Sequence, residues 1–266
     1  MNPINTMMIL RLIGCILLLL LTVSGCTSMA EDTVRTIHVV VALCDNKNQG
    51  ISPVPEKIGN GQDPQNNLYW GARYGVKTFF QKSAEWKFIK SFNQPQDHVL
   101  ERVIFKHKAS NTYLIADAYD GAKIKNATTD FLEYASGNNE KVITINDVKL
   151  NCGGNSNLIV YSGHNGLMDF DLAETFTSHS DKKREVMILA CASKQYFHKF
   201  IKQTGAYPVI WTTNLMCPEA YTLKAAITAW IENKTYAQIA NAAASAYHAY
   251  QKCGLAAAKK LIVTEK

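Results

Sequence analysis

The sequence contains neither of the two commonest metal-binding signatures. No His-Glu-x-x-His segment and no Cys-x-x-Cys pair occurs among its seven histidines and seven cysteines. Long basic runs are also missing, since residues 182–184 (Lys-Lys-Arg) are the one tight cluster. We therefore predict no metal, no cofactor and no nucleic-acid partner, and we interpret residues 182–184 as solvated surface.

The apolar run near the N-terminus is too short to cross a bilayer. It extends from residue 12 to residue 21, whereas a spanning helix needs about 20 apolar residues. Arg11 precedes it and small residues follow it. A charged start, an apolar middle and a small-residue exit are the three parts of a secretory signal.

The exit, Val23-Ser24-Gly25-Cys26, resembles the lipobox of bacterial lipoproteins. The resemblance implies cleavage before Cys26, fatty acylation (palmitate) of its thiol and attachment to a membrane through the N-terminal lipid. Thr27 follows where some lipoproteins have Asp, which favours the outer membrane, facing the periplasm or the cell surface. An ordinary signal peptide and a signal anchor are the alternatives.

The remaining composition is that of one globular domain. Apolar residues make up 47% and charged residues 19% of the 266-residue chain, which argues against disorder. No internal repeat, low-complexity stretch or linker is evident. We therefore predict a signal peptide at residues 1–25, a lipidated tether at 26–36 and a single domain at 37–266.

Five cysteines remain after Cys15 leaves with the signal and Cys26 takes the lipid. Exported proteins can keep disulfides, and an odd count leaves at least one thiol over. One interpretation has two bridges and a free Cys191, the bridged residues being Cys44, Cys152, Cys217 and Cys253. In the other, all five are buried thiols.

Hydrophobic patterning predicts an α/β fold. Residues 37–44 are apolar on both faces, as in a central parallel strand. The predicted strands lie at residues 37–44, 85–92, 102–106, 112–119, 157–163, 185–190 and 207–213. The predicted helices lie at residues 68–81, 122–136, 218–232 and 235–252, with a further helix that ends near 204. This alternation predicts a mainly parallel sheet covered on both faces.

Two of these strands end in reactive side chains, His164 and Cys191. Ligands of open α/β sheets bind beyond the carboxyl ends of the strands. The separation is enough for one crossover helix and a return to a neighbouring strand. A thiol near an imidazole can become a nucleophile, because the imidazole accepts its proton and later passes one to a leaving amine.

An apolar strand ending in His and Gly, followed by an apolar strand ending in Ala-Cys, resembles the caspase-like cysteine peptidases. That superfamily includes caspases, legumains, gingipains, clostripains and separases. The resemblance covers roughly residues 113–213 and implies a three-layer sandwich. It also implies a dyad of His164 and Cys191, with Gly166 contributing to the oxyanion hole. Asn165 stands where the family usually has Gly, and Leu189 where it often has an acid.

The same resemblance implies substrate-binding groups around the dyad. The candidate pocket residues are Asp117, Asp120, Asp169, Trp211, Asn214 and Glu219. An acidic pocket would suit Arg or Lys at the cleaved position. The alternatives are that Asp120 belongs to a turn and that Glu219 is a first-turn helix acid.

These observations lead to three hypotheses. In the first, the chain is a lipid-anchored cysteine peptidase acting on peptides or proteins. In the second, it is a non-catalytic binding lipoprotein with the same fold. In the third, it is an anchored structural protein in which Cys191 pairs in a disulfide.

Overall fold

The structure is a computed structural model that describes residues 33–178 and 182–265. The predicted signal peptide, Cys26 and most of the tether lie outside the described residues, so the lipid anchor stays a prediction. From residue 34 onward the chain forms one compact unit. None of the described helices is long and apolar enough to cross a membrane.

Ten strands and six α-helices make up the described chain. The strands are β1 (Arg35–Ala42), β2 (Trp86–Gln96), β3 (Val99–His107), β4 (Thr112–Tyr119), β5 (Glu140–Ile145), β6 (Val148–Gly153), β7 (Leu158–Gly163), β8 (Glu185–Leu189), β9 (Tyr207–Thr212) and β10 (Ile262–Val263). The helices are α1 (Val76–Gln81), α2 (Ile124–Ser136), α3 (Ser193–Thr204), α4 (Ala220–Ile231), α5 (Tyr236–Gln251) and α6 (Leu255–Leu261).

Eight of the strands form one mixed sheet in the order β10-β9-β8-β7-β1-β4-β3-β2. The five central strands, β9, β8, β7, β1 and β4, run parallel. The three outer strands pair antiparallel. The prediction of an α/β fold with a mainly parallel sheet is confirmed.

Helices cover both faces of this sheet, because its central strands are apolar on both sides. In β1, Val39 and Val41 belong to the core beneath α1, α4, α5 and α6. Val40 and Ala42 point the other way and belong to the core beneath α2 and α3. Successive strand residues face opposite sides, so one continuous apolar run contributes to two cores.

The predicted helix at residues 68–81 is wrong in its first half. Helix α1 begins only at Val76, and residues 68–75 form turns. A Cβ on Gly71 would lie 2.0 Å from the carbonyl oxygen of Gln65, so these turns pack too closely for a side chain there. Asn67, just before the predicted helix, accepts from the Tyr69 amide and donates through its own side-chain amide to the carbonyls of Cys44 and Asn60.

The β5–β6 hairpin was not predicted from the sequence. It turns at Asn146 and Asp147, which both have positive φ. Asn and Asp tolerate that conformation better than most residues. An Asn-Asp pair between two segments of alternating apolar and polar residues could therefore have indicated the hairpin. Helix α6 and strand β10, after Gly254, were also missed.

Strand β1 is the point in the parallel sheet where the order of the strands reverses. Strand β4 lies on one side of β1 and β7 lies on the other. In α/β sheets of this kind, the loops at the carboxyl ends of the strands diverge at such a point and leave a crevice. The fold therefore places a candidate site beside the loops that follow β1, β7 and β8.

Candidate active site

His164 and Cys191 lie at the same edge of the sheet. Strands β7 and β8 are parallel neighbours, and their last paired residues are Ser162 and Leu189. His164 lies two positions after Ser162, and Cys191 lies two positions after Leu189. The two strands are neighbours, as the separation of His164 and Cys191 in the sequence allows. The connection between them, however, contains no α-helix in its described part, only the 3-10 helix Gly166–Met168.

Asn165 joins the two strand exits. Its side-chain amide donates to the main-chain carbonyl of Cys191 at 2.6 Å, while its Oδ1 accepts from the amide of Leu167 at 3.1 Å. The residue is completely buried. Asn165 was noted in the sequence only as a departure from the family pattern. In the structure it holds the histidine turn against the cysteine turn.

The imidazole of His164 is oriented by Asp169. Nε2 of His164 lies 2.6 Å from Oδ2 of Asp169, and the same oxygen accepts from the amide of Gly50 at 3.3 Å. An ionised carboxylate accepts hydrogen bonds only, so the neutral ring carries its proton on Nε2. Nδ1, which makes no hydrogen bond within the described residues, is then the basic nitrogen.

The Cys191 thiol is half-buried and contacts the loop after β9. Its Sγ lies 3.4 Å from both the carbonyl oxygen and the amide nitrogen of Met216. Burial raises the pKa of this thiol, and the Met216 main chain only partly offsets the increase. Within the described residues, the thiol forms no hydrogen bond with His164. The resting thiol is thus protonated and directed toward Met216.

A left-handed residue makes the turn that presents Cys191. Ala192 has φ 45° and ψ 36°, a conformation that is unfavourable for residues with a Cβ. Its amide donates to the carbonyl of Asn214 at 2.9 Å. The Ser193 hydroxyl donates to the carbonyl of Ile188 at 2.8 Å. Strained turns are concentrated at functional sites, and nothing in the sequence indicated this one.

Three of the candidate pocket residues belong to the His164 turn or to the loop after β9, which contacts Cys191. Asp169 pairs with His164, as described above. Asn214 is exposed, and its main chain supports the Cys191 turn. Glu219 accepts from Tyr221 and Gln251, and burial raises the pKa of its carboxyl.

The other candidates have different surroundings. Asp120 lies at the end of β4 and accepts from Ala122 and Gln62, so the turn interpretation describes it. Trp211 is a buried residue of β9, and Asp117 is fully buried within β4, where it pairs with Arg102. Neither of these two side chains lines a surface pocket.

Gly166 is packed inside the fold. A Cβ there would lie 2.8 Å from the Phe170 ring and 2.9 Å from Ile124. The phenol of Tyr161, buried nearby, donates to the carbonyl of His164 at 2.7 Å. Gly166, which the resemblance placed in the oxyanion hole, is therefore buried and closely packed.

A polar cavity of about 530 Å³ lies next to the β1 exit. Asp45 lines it and is almost fully buried. Burial raises the pKa of Asp45, but hydrogen bonds from Asn48 and Gln62 outweigh burial and lower it. The same loop continues to Gly50, which contacts Asp169. The sequence did not predict this cavity.

All five cysteines of the domain are free thiols. The interpretation with two disulfides is therefore wrong. Cys44 and Cys152 are buried, but Cys217 and Cys253 are exposed, so five buried thiols is also wrong. No described group of three or more His, Cys, Asp or Glu side chains could hold a metal ion.

Comparison with known proteins identifies no relative of this chain. The chain matches no protein-family model, and no curated protein or solved structure is significantly similar to it. The function is therefore inferred from the residues of the site and their geometry.

Proposed function

We propose that this chain is an exported, lipid-anchored cysteine peptidase of the caspase-like type, with Cys191 as nucleophile and His164 as general base. The observation that carries the proposal is the pairing of β7 with β8, in which His164 and Cys191 each follow the last paired residues by two positions. A dyad at the ends of consecutive parallel strands is the arrangement that the sequence resemblance implies.

The geometry around His164 supports a role as a base. Asp169 binds Nε2 at 2.6 Å, which leaves Nδ1 as the proton acceptor. A catalytic imidazole needs such an orienting partner, because rotation of the ring or a change of tautomer would remove the acceptor. Asp169 was predicted as a substrate-pocket residue, and its contact with His164 favours a positioning role instead.

The proposed reaction is peptide-bond hydrolysis through a thioester. The Cys191 thiol rotates away from Met216 and transfers its proton to Nδ1 of His164, and the sulfur attacks the scissile carbonyl carbon. His164 then passes the proton to the departing amine as the C–N bond breaks. Water, deprotonated by His164, cleaves the thioester, which releases the acid product and restores the thiol.

A second candidate function is a binding lipoprotein with this fold and no turnover. The observation that favours it is the resting position of the thiol, which hydrogen-bonds Met216 and not His164. Burial also raises the pKa of Cys191, whereas nucleophilic thiols usually have a lowered pKa.

A peptide library and an iodoacetamide probe distinguish these candidates. If the peptidase proposal holds, the protein cleaves peptides, alkylation of Cys191 by iodoacetamide abolishes cleavage, and Cys191→Ala and His164→Ala lose cleavage. Cys217→Ala is the matched control, because it removes an exposed thiol from the loop that contacts Cys191. Cleavage that persists in Cys191→Ala would refute the assignment, and binding without cleavage would favour the second candidate.

The lipid anchor needs a separate experiment. Metabolic labelling with a palmitate analogue should mark the wild-type chain and not Cys26→Ser. Fractionation should place the labelled protein in the outer membrane. Failure of either result would refute the localisation without affecting the peptidase proposal.

A further inference from the structure

A second cavity, of about 310 Å³, lies at the opposite edge of the sheet from His164. We call it the amino-edge pocket, and its principal residues are Arg35, Lys182, Lys183, Glu185, Trp230 and Tyr236. Arg35 is the first residue of β1 and Glu185 the first residue of β8. Parallel strands begin at one edge and end at the other, so this pocket and the candidate active site lie at opposite ends of the strands.

The amino-edge pocket carries an excess of positive charge. The guanidinium of Arg35 stacks over Trp230 at 3.9 Å from the ring centroid, and Lys183 lies over Tyr207 at 5.1 Å. Lys182 and Lys183 are exposed. Within the part of the chain that the structure describes, Arg35 and Lys183 form no salt bridge with a carboxylate.

Among the lining residues that the structure describes, Glu185 is the one acid, and neutral groups donate to it. Glu185 accepts from the Trp230 indole at 2.6 Å and from the Tyr236 hydroxyl at 2.5 Å. These bonds fix the carboxylate beside the aromatic rings, away from Lys183, which lies over Tyr207. Cations held on aromatic rings, with exposed lysines beside them, suit a phosphate ligand.

The short distance in sequence between Cys26 and β1 indicates that the phosphate would belong to a membrane lipid. Arg35 lies nine positions after Cys26, and a chain of this length extends at most about 30 Å. A lipid on Cys26 would therefore keep the start of β1 close to the bilayer surface. Trp and Tyr are also the residues enriched where proteins meet lipid headgroups.

We propose that the amino-edge pocket docks on the headgroup phosphates of an anionic membrane. Docked in this way, the domain would present the edge with His164 and Cys191 away from the bilayer, toward polymeric substrates. The inference rests on the proposed lipid anchor and does not require peptidase activity.

Hydrogen exchange of the full lipidated protein on vesicles tests the docking surface. One set of vesicles contains phosphatidylglycerol with phosphatidylcholine, and the other contains phosphatidylcholine alone. We expect several-fold slower exchange at residues 35–37, 182–186 and 230–236 on the anionic vesicles only. Salt should abolish the difference, because it screens charges at a surface.

A pair of charge-reversal variants provides the control. Lys182→Glu combined with Lys183→Glu should remove the protection on anionic vesicles. Lys259→Glu combined with Lys260→Glu makes the same charge change on exposed residues of α6, which leads into β10 at the carboxyl end of β9, and should leave the protection unchanged.

Several results would overturn the proposal. These are protection at the Cys191 edge instead, equal protection on both vesicle types, and protection by inorganic phosphate alone with no further effect of vesicles. Flotation of the protein with the vesicles, checked in the same samples, reports on the anchor itself. A protein that does not float refutes the anchor, whereas a protein that floats without protection refutes only the docking surface.

Discussion

Asp169 is the side chain whose role the structure changed most. It lies five residues after His164, in the connection that leads toward β8, and its 2.6 Å contact with Nε2 makes it a positioning residue for the imidazole. The carboxylate is about one-quarter exposed, so solvent reaches it while it holds the ring. Aspartates in turns are common, and the sequence could not indicate that this one faces His164.

Replacing Asp169 should therefore affect turnover more than substrate binding. We expect Asp169→Asn to lower kcat of peptide cleavage by about tenfold or more, with little change in KM, since general-base groups contribute about 10²- to 10⁴-fold. The change should also alter the pH profile of kcat. Asp171→Asn is the control, because the Asp171 side chain is 97% exposed. Equal losses in the two variants would contradict a positioning role.

The cysteine thiols should differ in their reaction with iodoacetamide. Burial raises the pKa of Cys44 and of Cys152 to about 11, and both side chains are buried. The thiolate is the reactive form, so labelling of these two should be very slow at neutral pH. Exposed Cys253 should label fastest.

Cys191 should label at an intermediate rate that increases with pH. Its pKa is raised, so its thiolate fraction at neutral pH is below that of an ordinary cysteine and increases as the pH increases. Mass spectrometry of timed samples measures all five rates. Labelling of Cys44 or Cys152 as fast as that of Cys253 would contradict the burial that the structure describes.

Ala192 provides a test of the strained turn after Cys191. Its positive φ costs about 1–2 kcal/mol in a residue with a Cβ, and glycine does not pay that penalty. We expect Ala192→Gly to unfold at an equal or higher urea concentration, while Ala192→Val should be destabilised. Ala190→Gly is the comparison at a buried residue of the same segment that is not one of the positive-φ positions. A loss of stability in Ala192→Gly equal to that in Ala190→Gly would count against strain.

At the scale of elements, the central strands were the most predictable part of the fold. Strand β4 has the predicted bounds, and the predicted strands at 157–163 and 185–190 differ from β7 and β8 by one residue each. These strands are apolar on both faces, and a buried parallel strand needs that pattern whatever its neighbours are.

Asn165 links two elements that are distant in the sequence. It is fully buried and bonds both Cys191 and Leu167. We expect Asn165→Leu to reduce the free energy of unfolding by about 1–3 kcal/mol, because the Cys191 carbonyl and the Leu167 amide would lose their partner. Urea unfolding measures this change, and Asn214→Leu, at an exposed position beyond β9, is the control. The same loss in both variants would exclude a bridging role.

At the scale of the whole molecule, a buried charge network joins three strands and the β5–β6 hairpin. Arg102 of β3 donates to both oxygens of Asp117 of β4 at 2.6 Å. His38 of β1 lies 3.0 Å from Asp117, and its Nδ1 accepts from the amide of Gly153 in β6. His38 is therefore neutral and donates through Nε2 to the carboxylate.

This network should make stability depend on acid pH. Burial raises the pKa of Asp117, but Arg102 and then His38 outweigh burial and hold the pKa well below its usual range. A lowered folded-state pKa contributes stability above the unfolded value of about 3.9, and this contribution is lost as the pH falls below it. Asp117→Asn should therefore be less stable at neutral pH and should lose less stability in acid.

Removing one partner of the Arg102–Asp117 pair should lower the free energy of unfolding more than removing both. Asp117→Leu leaves the Arg102 charge buried and should cost about 3–5 kcal/mol, whereas Asp117→Leu combined with Arg102→Met should cost less. Urea unfolding over a pH series measures both effects. Asp120→Asn, at the turn after β4, is the control and should change little. A stability difference between wild type and Asp117→Asn that does not change with pH would contradict the network.

The sequence by itself determined the parallel strands and the placement of His164 and Cys191 at two strand ends. These features follow from local patterns, since burial on both faces selects apolar runs and reactive side chains stand out where such runs stop. Only the tertiary structure decided which groups contact them: Asp169 at the imidazole, Met216 at the thiol and Asn165 between the two turns. Those contacts depend on the closure of loops whose polar residues suit many arrangements. Packing, and not local pattern, selects one of them.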